Sequence, residues 1–282
     1  LLVAKTLAAV LSGSLAVISS VLDSAVDLVS GILLWISSRA IKKTDISVYP
    51  RGRGRLEPVS IVVLAVIMSL ASCQVVVNSI KTILTYVNYD LHCSLLPTIL
   101  ICLLTIVIKF VMYVVCRRMS NVTIQALAQD HRNDVISNTV ALSFGFMGYK
   151  LLKYIDPTGA ILISLYVIIT WSLTAMEQIK VITGYTADPT LLNAFTWFIV
   201  RHHPDIKYID DIRAFHQSAE GFIVEADIIL PSNMGLKESH DIGENLKKRL
   251  ERLPEVERAF VHVDYACNKY NINPNLMMNS YL

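Results

Sequence analysis

No two cysteines in this 282-residue chain are spaced as CxxC. The five present, Cys73, Cys93, Cys102, Cys116 and Cys267, are odd in number and scattered, and at least three fall inside apolar runs. That excludes a disulfide framework and a thiolate metal site, and predicts that most of them are small buried hydrophobes. A secretory signal is also missing. Residues 1–10 lack a basic flank and a cleavage site, and there is no initial Met, so the chain is read as opening inside a helix whose start lies upstream. Basic clusters standing apart from apolar segments are absent too: Lys and Arg gather beside the apolar runs, which excludes nucleic acid as a partner.

Apolar residues, by contrast, are plentiful. They make up 54% of the chain, and the mean hydropathy is +0.51. A soluble domain sits nearer 45–50% apolar, so the bulk composition is that of a membrane protein. The excess is confined to residues 1–185, while 186–282 read as an ordinary soluble domain. Charge divides in the same way. Residues 1–187 hold 15 Lys+Arg and 9 Asp+Glu, leaving 10 and 14 for the remainder, so a net charge of +2 hides a basic membrane part and an acidic tail domain.

A bilayer core of roughly 30 Å needs about 20 apolar residues in a helix. Leu15–Ile36, Val59–Val87, Leu95–Val115 and Thr158–Ile179 meet that length. A fifth segment, Val122–Tyr149, is long enough but is interrupted by Gln129-Asp130-His131-Arg132-Asn133-Asp134. Leu1–Leu11, closed by Ser12-Gly13-Ser14, reads as the end of a further span, which makes six in the intact protein. The connection after the Leu15 span carries Arg39, Lys42, Lys43, Arg51, Arg53 and Arg55, and the one before Val122 carries Arg117 and Arg118. The opposite side has only Lys81, Lys150 and Lys153, so the positive-inside bias places the first set, and the tail after Ile179, in the cytosol.

The tail itself reads as helix Pro189–Arg201, strand Ile206–His216, strand Gly221–Leu230, helix Leu236–Leu253 and strand Val256–Asp264. The expected fold class is therefore a six-helix membrane bundle (residues 1–185) followed by a cytosolic α+β domain of αββαβ type (186–270) and a short tail (271–282), with a sheet face able to pair with a second copy.

Charges recur where they are expensive. Asp23 and Asp27 lie in the first complete span, Asp130 and Asp134 in the fifth. Each pair is spaced i, i+4, which puts both carboxylates on one helix face about 6 Å apart along the axis. A mid-membrane carboxylate costs about 2.5–3.5 kcal/mol on insertion scales, so four together cost roughly 10 kcal/mol unless a cation offsets them. A lone Asp in a span is readily explained as a helix-end residue or a hydrogen-bond partner. Two pairs at one spacing on two helices form instead an oxygen donor set for a divalent cation, of the hard type that suits Mn²⁺, Mg²⁺ or Ca²⁺, whereas imidazole tilts a site toward Zn²⁺. Lys109 is read as snorkelling toward Arg117. His131 and Arg132 lie off the Asp130/Asp134 face and are not read as ligands.

Taken in order, these segments resemble the cation diffusion facilitators. Leu11-Ser12-Gly13-Ser14-Leu15-Ala16 with Asp23-Ser24 and Asp27 is similar to that family's second-helix signature, and Tyr49-Pro50-Arg51-Gly52-Arg53-Gly54-Arg55-Leu56-Glu57-Pro58 to its basic loop. Asp130-His131-Arg132-Asn133-Asp134 falls where zinc members carry HxxxD, and Val261-His262-Val263-Asp264 resembles the last strand of the cytosolic domain. The resemblance implies a homodimeric, proton-coupled exporter of divalent cations in a multi-pass membrane, organellar or plasma, with no prosthetic group and no enzymatic activity. It places the metal on Asp23, Asp27, Asp130 and Asp134. Asp at position 130 resembles the manganese-type branch. Zn²⁺ or Fe²⁺ as cargo, or a non-transporting metal sensor or scaffold, are the alternatives. His240, His262 and Asp264 match positions of a cytosolic metal site, but Asp210 and Ala226 stand where that site has His, so His240 and His262 also read as solvated residues of a dimerisation domain.

Overall fold

The computed structural model describes residues 15–45, 47–85, 95–150 and 155–266, with side chains described over 24–45, 47–84, 103–144 and 157–266. The segment 1–14, read above as the end of a span, lies outside the described residues, as do Cys93 and Cys267. The chain divides into two compact units, Leu1–Ile179 and Lys180–Leu282.

Among the described residues, five helices build the first unit: α1 (Leu15–Lys42), α2 (Leu56–Thr85), α3 (Leu95–Arg117), α4 (Val122–Lys150) and α5 (Ile155–Ile182). The five complete expected spans fall on these helices, the last two residues of Val59–Val87 lying outside the described residues. Among the described residues, three stretches are long and apolar enough to cross a bilayer: Ser24–Lys42, Leu56–Leu84 and Pro157–Ile182. Helix α4 is not among them because of its polar run. Burial is inverted relative to a water-soluble bundle. Leu28, Val29, Ile32, Trp35, Leu70, Leu104, Ile169 and Leu173 face outward, while Ser24, Ser30, Ser60, Thr105, Lys109, Asp130, His131, Asn133 and Ser164 are buried. Apolar surroundings and a polar interior fit helices solvated by lipid. Cys73 corrects an expectation: it is exposed on α2, with the outward Val75 and Val77.

An apolar cluster of Leu34, Ile61, Leu64, Ala65, Met68, Ala126 and the fully buried Trp171 joins α1, α2, α4 and α5. The basic ends of the helices are tied by hydrogen bonds. Ser37 Oγ donates to the Leu56 carbonyl at 3.1 Å, linking α1 to α2. Asn121 caps α4 by accepting from the Ile124 N–H at 3.2 Å. Glu57, in the first turn of α2, accepts from both the backbone N–H (3.3 Å) and the hydroxyl (2.5 Å) of Thr123. A carboxylate there meets unpaired N–H groups and the positive end of the α4 dipole.

Helix α5 ends on Gly184, whose φ of 74° only glycine adopts freely. Gly184 N–H bonds Val181 O (3.1 Å) and Tyr185 N–H bonds Lys180 O (3.0 Å), the paired closure of a Schellman motif. The second unit then runs α6 (Pro189–Val200), β1 (Tyr208–His216), β2 (Phe222–Ile229), α7 (Leu236–Leu250) and β3 (Val256–Asp264). Strand β2 is central, antiparallel to β1 and parallel to β3. Val224, Ala226 and Ile228 point from β2 into a core completed by Phe195 and Ile199 of α6 and Leu246 and Leu250 of α7.

The αββαβ order is as expected, with small differences at the ends. β1 begins at Tyr208 rather than Ile206, because Pro204 and Asp205 form a turn closed by Ile206 N–H to His203 O. α7 stops at Leu250 rather than Leu253, because residues 251–253 tighten into shorter turns ahead of Pro254.

Candidate metal site in the helical bundle

Three helices converge on one polar centre in the first unit. Helix α4 carries Asp130, His131 and Asp134, and donor atoms from all three lie within 4.8 Å of one another. Helix α1 supplies Asp27 and helix α3 supplies Lys109. The Lys109 ammonium lies 2.7 Å from Asp27 Oδ2 and 2.5 Å from Asp134 Oδ2. Asp23 sits one turn before Asp27 on the backbone of α1, but its side chain is outside the described residues.

Lys109 thus corrects the sequence expectation. It does not snorkel toward Arg117. Its side chain is 8% exposed and bridges a carboxylate on α1 to one on α4. Buried among apolar neighbours, an ammonium gains more from two carboxylates than a stem of four methylenes gains by reaching for water. His131 also differs from expectation. One residue's step turns it about 100° from Asp130, yet it is 4% exposed and its ring reaches the carboxylates. Neither ring nitrogen has a hydrogen-bond partner. A buried imidazole without partners is costly, so His131 stands as a further candidate donor beside Asp130 and Asp134.

The rest of the polar run is satisfied by α5. Asn133 Nδ2 reaches Thr170 Oγ1 (3.5 Å), and Thr174 Oγ1 donates to Gln129 Oε1 (3.0 Å). Arg132 points elsewhere, into a cavity of about 380 Å³ that it lines with Arg117, Gln129, Glu177 and Gln178. Arg132 Nη2 also reaches Asn133 Oδ1 at 3.5 Å, while its Nε is buried with no hydrogen-bond partner.

In the second unit, His240 is exposed on α7 and leans on Asp241 at 3.4 Å. His262 and Asp264 lie on β3, opposite Asp227 and Ile229 of β2. Among the described residues these do not gather into a group of three metal-type donors. His202, not anticipated from sequence, faces Arg249 at 3.2 Å, and burial together with that guanidinium holds its pKa below the usual histidine range, an environment poor for a cation.

Comparison with known proteins decides the family. A model of the cation efflux transmembrane domain matches residues 1–183. The chain belongs to the cation efflux family, the cation diffusion facilitators. A second model, of the cation efflux protein cytoplasmic domain, matches residues 198–266. The cation efflux family is one of membrane transporters, not enzymes. Similar proteins include metal tolerance protein 10 of Arabidopsis thaliana, 40% identical over 266 residues, and metal tolerance protein 7 of Oryza sativa subsp. japonica, 42% identical over 267. Metal tolerance protein 11 of Arabidopsis thaliana is 39% identical over 267 residues. Each alignment covers 94% of this chain, but only 62%, 68% and 68% of the respective relative. The chain thus spans about two thirds of the length of these cation efflux relatives.

Proposed function

We propose that this protein exports a divalent metal cation from the cytosol in exchange for protons, with Mn²⁺ as its main cargo. Asp23, Asp27, Asp130 and Asp134 are the proposed ligands. The observation that carries this reading is the buried carboxylate group on α4 and its link through Lys109 to Asp27 on α1, set in a bundle whose outer surface is apolar. The names of the relatives, metal tolerance proteins, support the cargo class. Six spans and a cytosolic C-terminal domain complete the proposed architecture.

The mechanism follows from charge. Facing the cytosol, ionised carboxylates hold the metal; after the bundle rocks, protons from the other side compete for the same oxygens and release it. In sealed vesicles with the cytosolic face outward, Mn²⁺ uptake is expected to rise as the lumen is acidified. Rates unchanged across an imposed proton gradient, with the membrane potential clamped, would remove proton coupling. Absence of Mn²⁺ uptake under any gradient would remove the manganese assignment.

One observation favours Zn²⁺ as a second cargo: His131 offers imidazole beside Asp130 and Asp134, and nitrogen is a donor that Zn²⁺ accepts readily. Competitive uptake of the two metals decides between them.

Residues 186–270 are proposed to hold two copies together, as the cytoplasmic-domain match supports. Residues 186–282 expressed alone are expected to sediment as a dimer. A strictly monomeric species at high concentration would count against that role.

A further inference from the structure

Lys109 is a buried basic side chain that bonds two carboxylates of the proposed metal set, and cargo binding as described above gives it no task. Its ammonium touches Asp27 Oδ2 on one helix and Asp134 Oδ2 on another, so it spans the two halves of the donor set. An oxygen that accepts a short ammonium hydrogen bond offers correspondingly less to a metal, and two cations brought to the same oxygens repel each other. Metal and ammonium are therefore rivals for these two carboxylates. The lysine differs from every other rival in one respect: it is tethered, and it crosses no barrier.

We propose that Lys109 is an internal counter-cation of the transport cycle, which yields the carboxylates to the cargo and takes them back when the cargo leaves. The inference rests on the metal-site reading given above. An exporter must return its binding site to the cytosolic side without metal. Carboxylates left uncompensated in a low-dielectric interior make that step costly. Protons neutralise part of the charge, and Lys109 neutralises another part without leaving the protein. Two consequences follow. Lys109 weakens metal binding by competing for it, and it speeds the metal-free return. It is a positioning and charge-balancing residue rather than a ligand.

The cargo-free return is separable by assay, because exchange of metal for metal needs only loaded crossings whereas net uptake needs the return. The full chain, reconstituted in liposomes, is compared as wild type, Lys109→Gln and Lys109→Met. Three quantities are measured: Mn²⁺ affinity, net Mn²⁺ uptake into metal-free vesicles, and entry of labelled Mn²⁺ into vesicles preloaded with unlabelled Mn²⁺. Both variants are expected to bind Mn²⁺ about tenfold or more tightly, the low end of what close charge pairs are worth. Net uptake is expected to fall by about tenfold or more, with exchange retained within about threefold, by the same reasoning. A gain in affinity is not something a merely structural lysine would produce on removal. Loss of affinity, loss of exchange in parallel with net uptake, or unchanged net uptake in a folded variant would each overturn the proposal. Wild type that neither exchanges nor accumulates Mn²⁺ would remove the manganese reading itself. Wild type that does both, alongside variants that lose both, would remove only the role of Lys109.

Discussion

Asp27→Ala is expected to reduce metal uptake at least about a hundredfold, equivalent to about 2.7 kcal/mol, for Mn²⁺ and Zn²⁺ alike. The substitution acts twice. It deletes a proposed ligand without supplying another, and it strips Lys109 of one of its two carboxylates, at 2.7 Å. Removing one partner of a buried ion pair costs about 3–5 kcal/mol when the other charge is stranded. Lys109 keeps Asp134, and Asp27 is 26% exposed, so the loss of stability is expected nearer about 1–2 kcal/mol than the full figure. Asp27→Asn separates the two effects. An amide oxygen still accepts a hydrogen bond from the ammonium, so thermal stability in detergent should fall less, while transport is lost to the same degree because the charge is gone. The check is initial uptake of both metals at matched protein levels, with unfolding midpoints beside it. Uptake above a tenth of wild type in Asp27→Ala would exclude Asp27 from the ligand set.

Asp130→His is expected to change the Mn²⁺/Zn²⁺ uptake ratio by about tenfold or more toward Zn²⁺, the scale of an altered ligand. Asp130 is 3% exposed and its oxygens lie within reach of His131 and Asp134. One of the four proposed carboxylates would be replaced by an imidazole, a nitrogen donor that Zn²⁺ accepts in tetrahedral geometry. Mn²⁺ prefers more oxygens, water included. One negative charge fewer also weakens any hard dication held by Coulomb attraction. Competitive uptake of the two metals by wild type and Asp130→His is the measurement. An active mutant with an unchanged ratio would show that Asp130 is no selectivity ligand. His131→Gln, on the same assay, reports whether the wild-type imidazole already admits Zn²⁺.

The parts of this site that follow from spacing along one helix were legible in the sequence. Asp23/Asp27 and Asp130/Asp134 each declare a face through their i, i+4 interval, and α4 was recognisable as one continuous helix despite its polar run; Asp27, Asp130 and Asp134 fall in the polar centre, while the side chain of Asp23 lies outside the described residues. Contacts between helices were not legible. Lys109 lies 82 residues from Asp27 and 25 from Asp134, and the apolar residues around it set only the helix, not the neighbour it faces. The closeness of His131 to the carboxylates was not legible for a different reason. Counting faces treats a side chain as a point on a cylinder, whereas an imidazole beside two carboxylates can swing toward them. In the second unit, alternation in Phe222, Val224, Ala226 and Ile228 marked β2 clearly. The strand and helix ends were blurred by Pro204 and Pro254, whose turns shorten the elements by a few residues.

The clamp of Glu57 on Thr123 has a mechanical consequence. It fastens the first turns of α2 and α4 together at the basic end, and a tilt of α4 in the proposed cycle would pivot there. At about 1.5 Å of rise per residue, Asp130 stands about 10 Å along the lever and Asp134 about 16 Å, whereas Lys150 stands about 40 Å away. A tilt of about 10° therefore shifts Asp130 by about 2 Å, enough to break metal coordination, and the far end by about 7 Å, enough to open a passage for a hydrated ion. On the proposed transport reading, one small rotation would cross both thresholds, so release of the ion and opening of its exit would be geared to each other by where the helix is pinned.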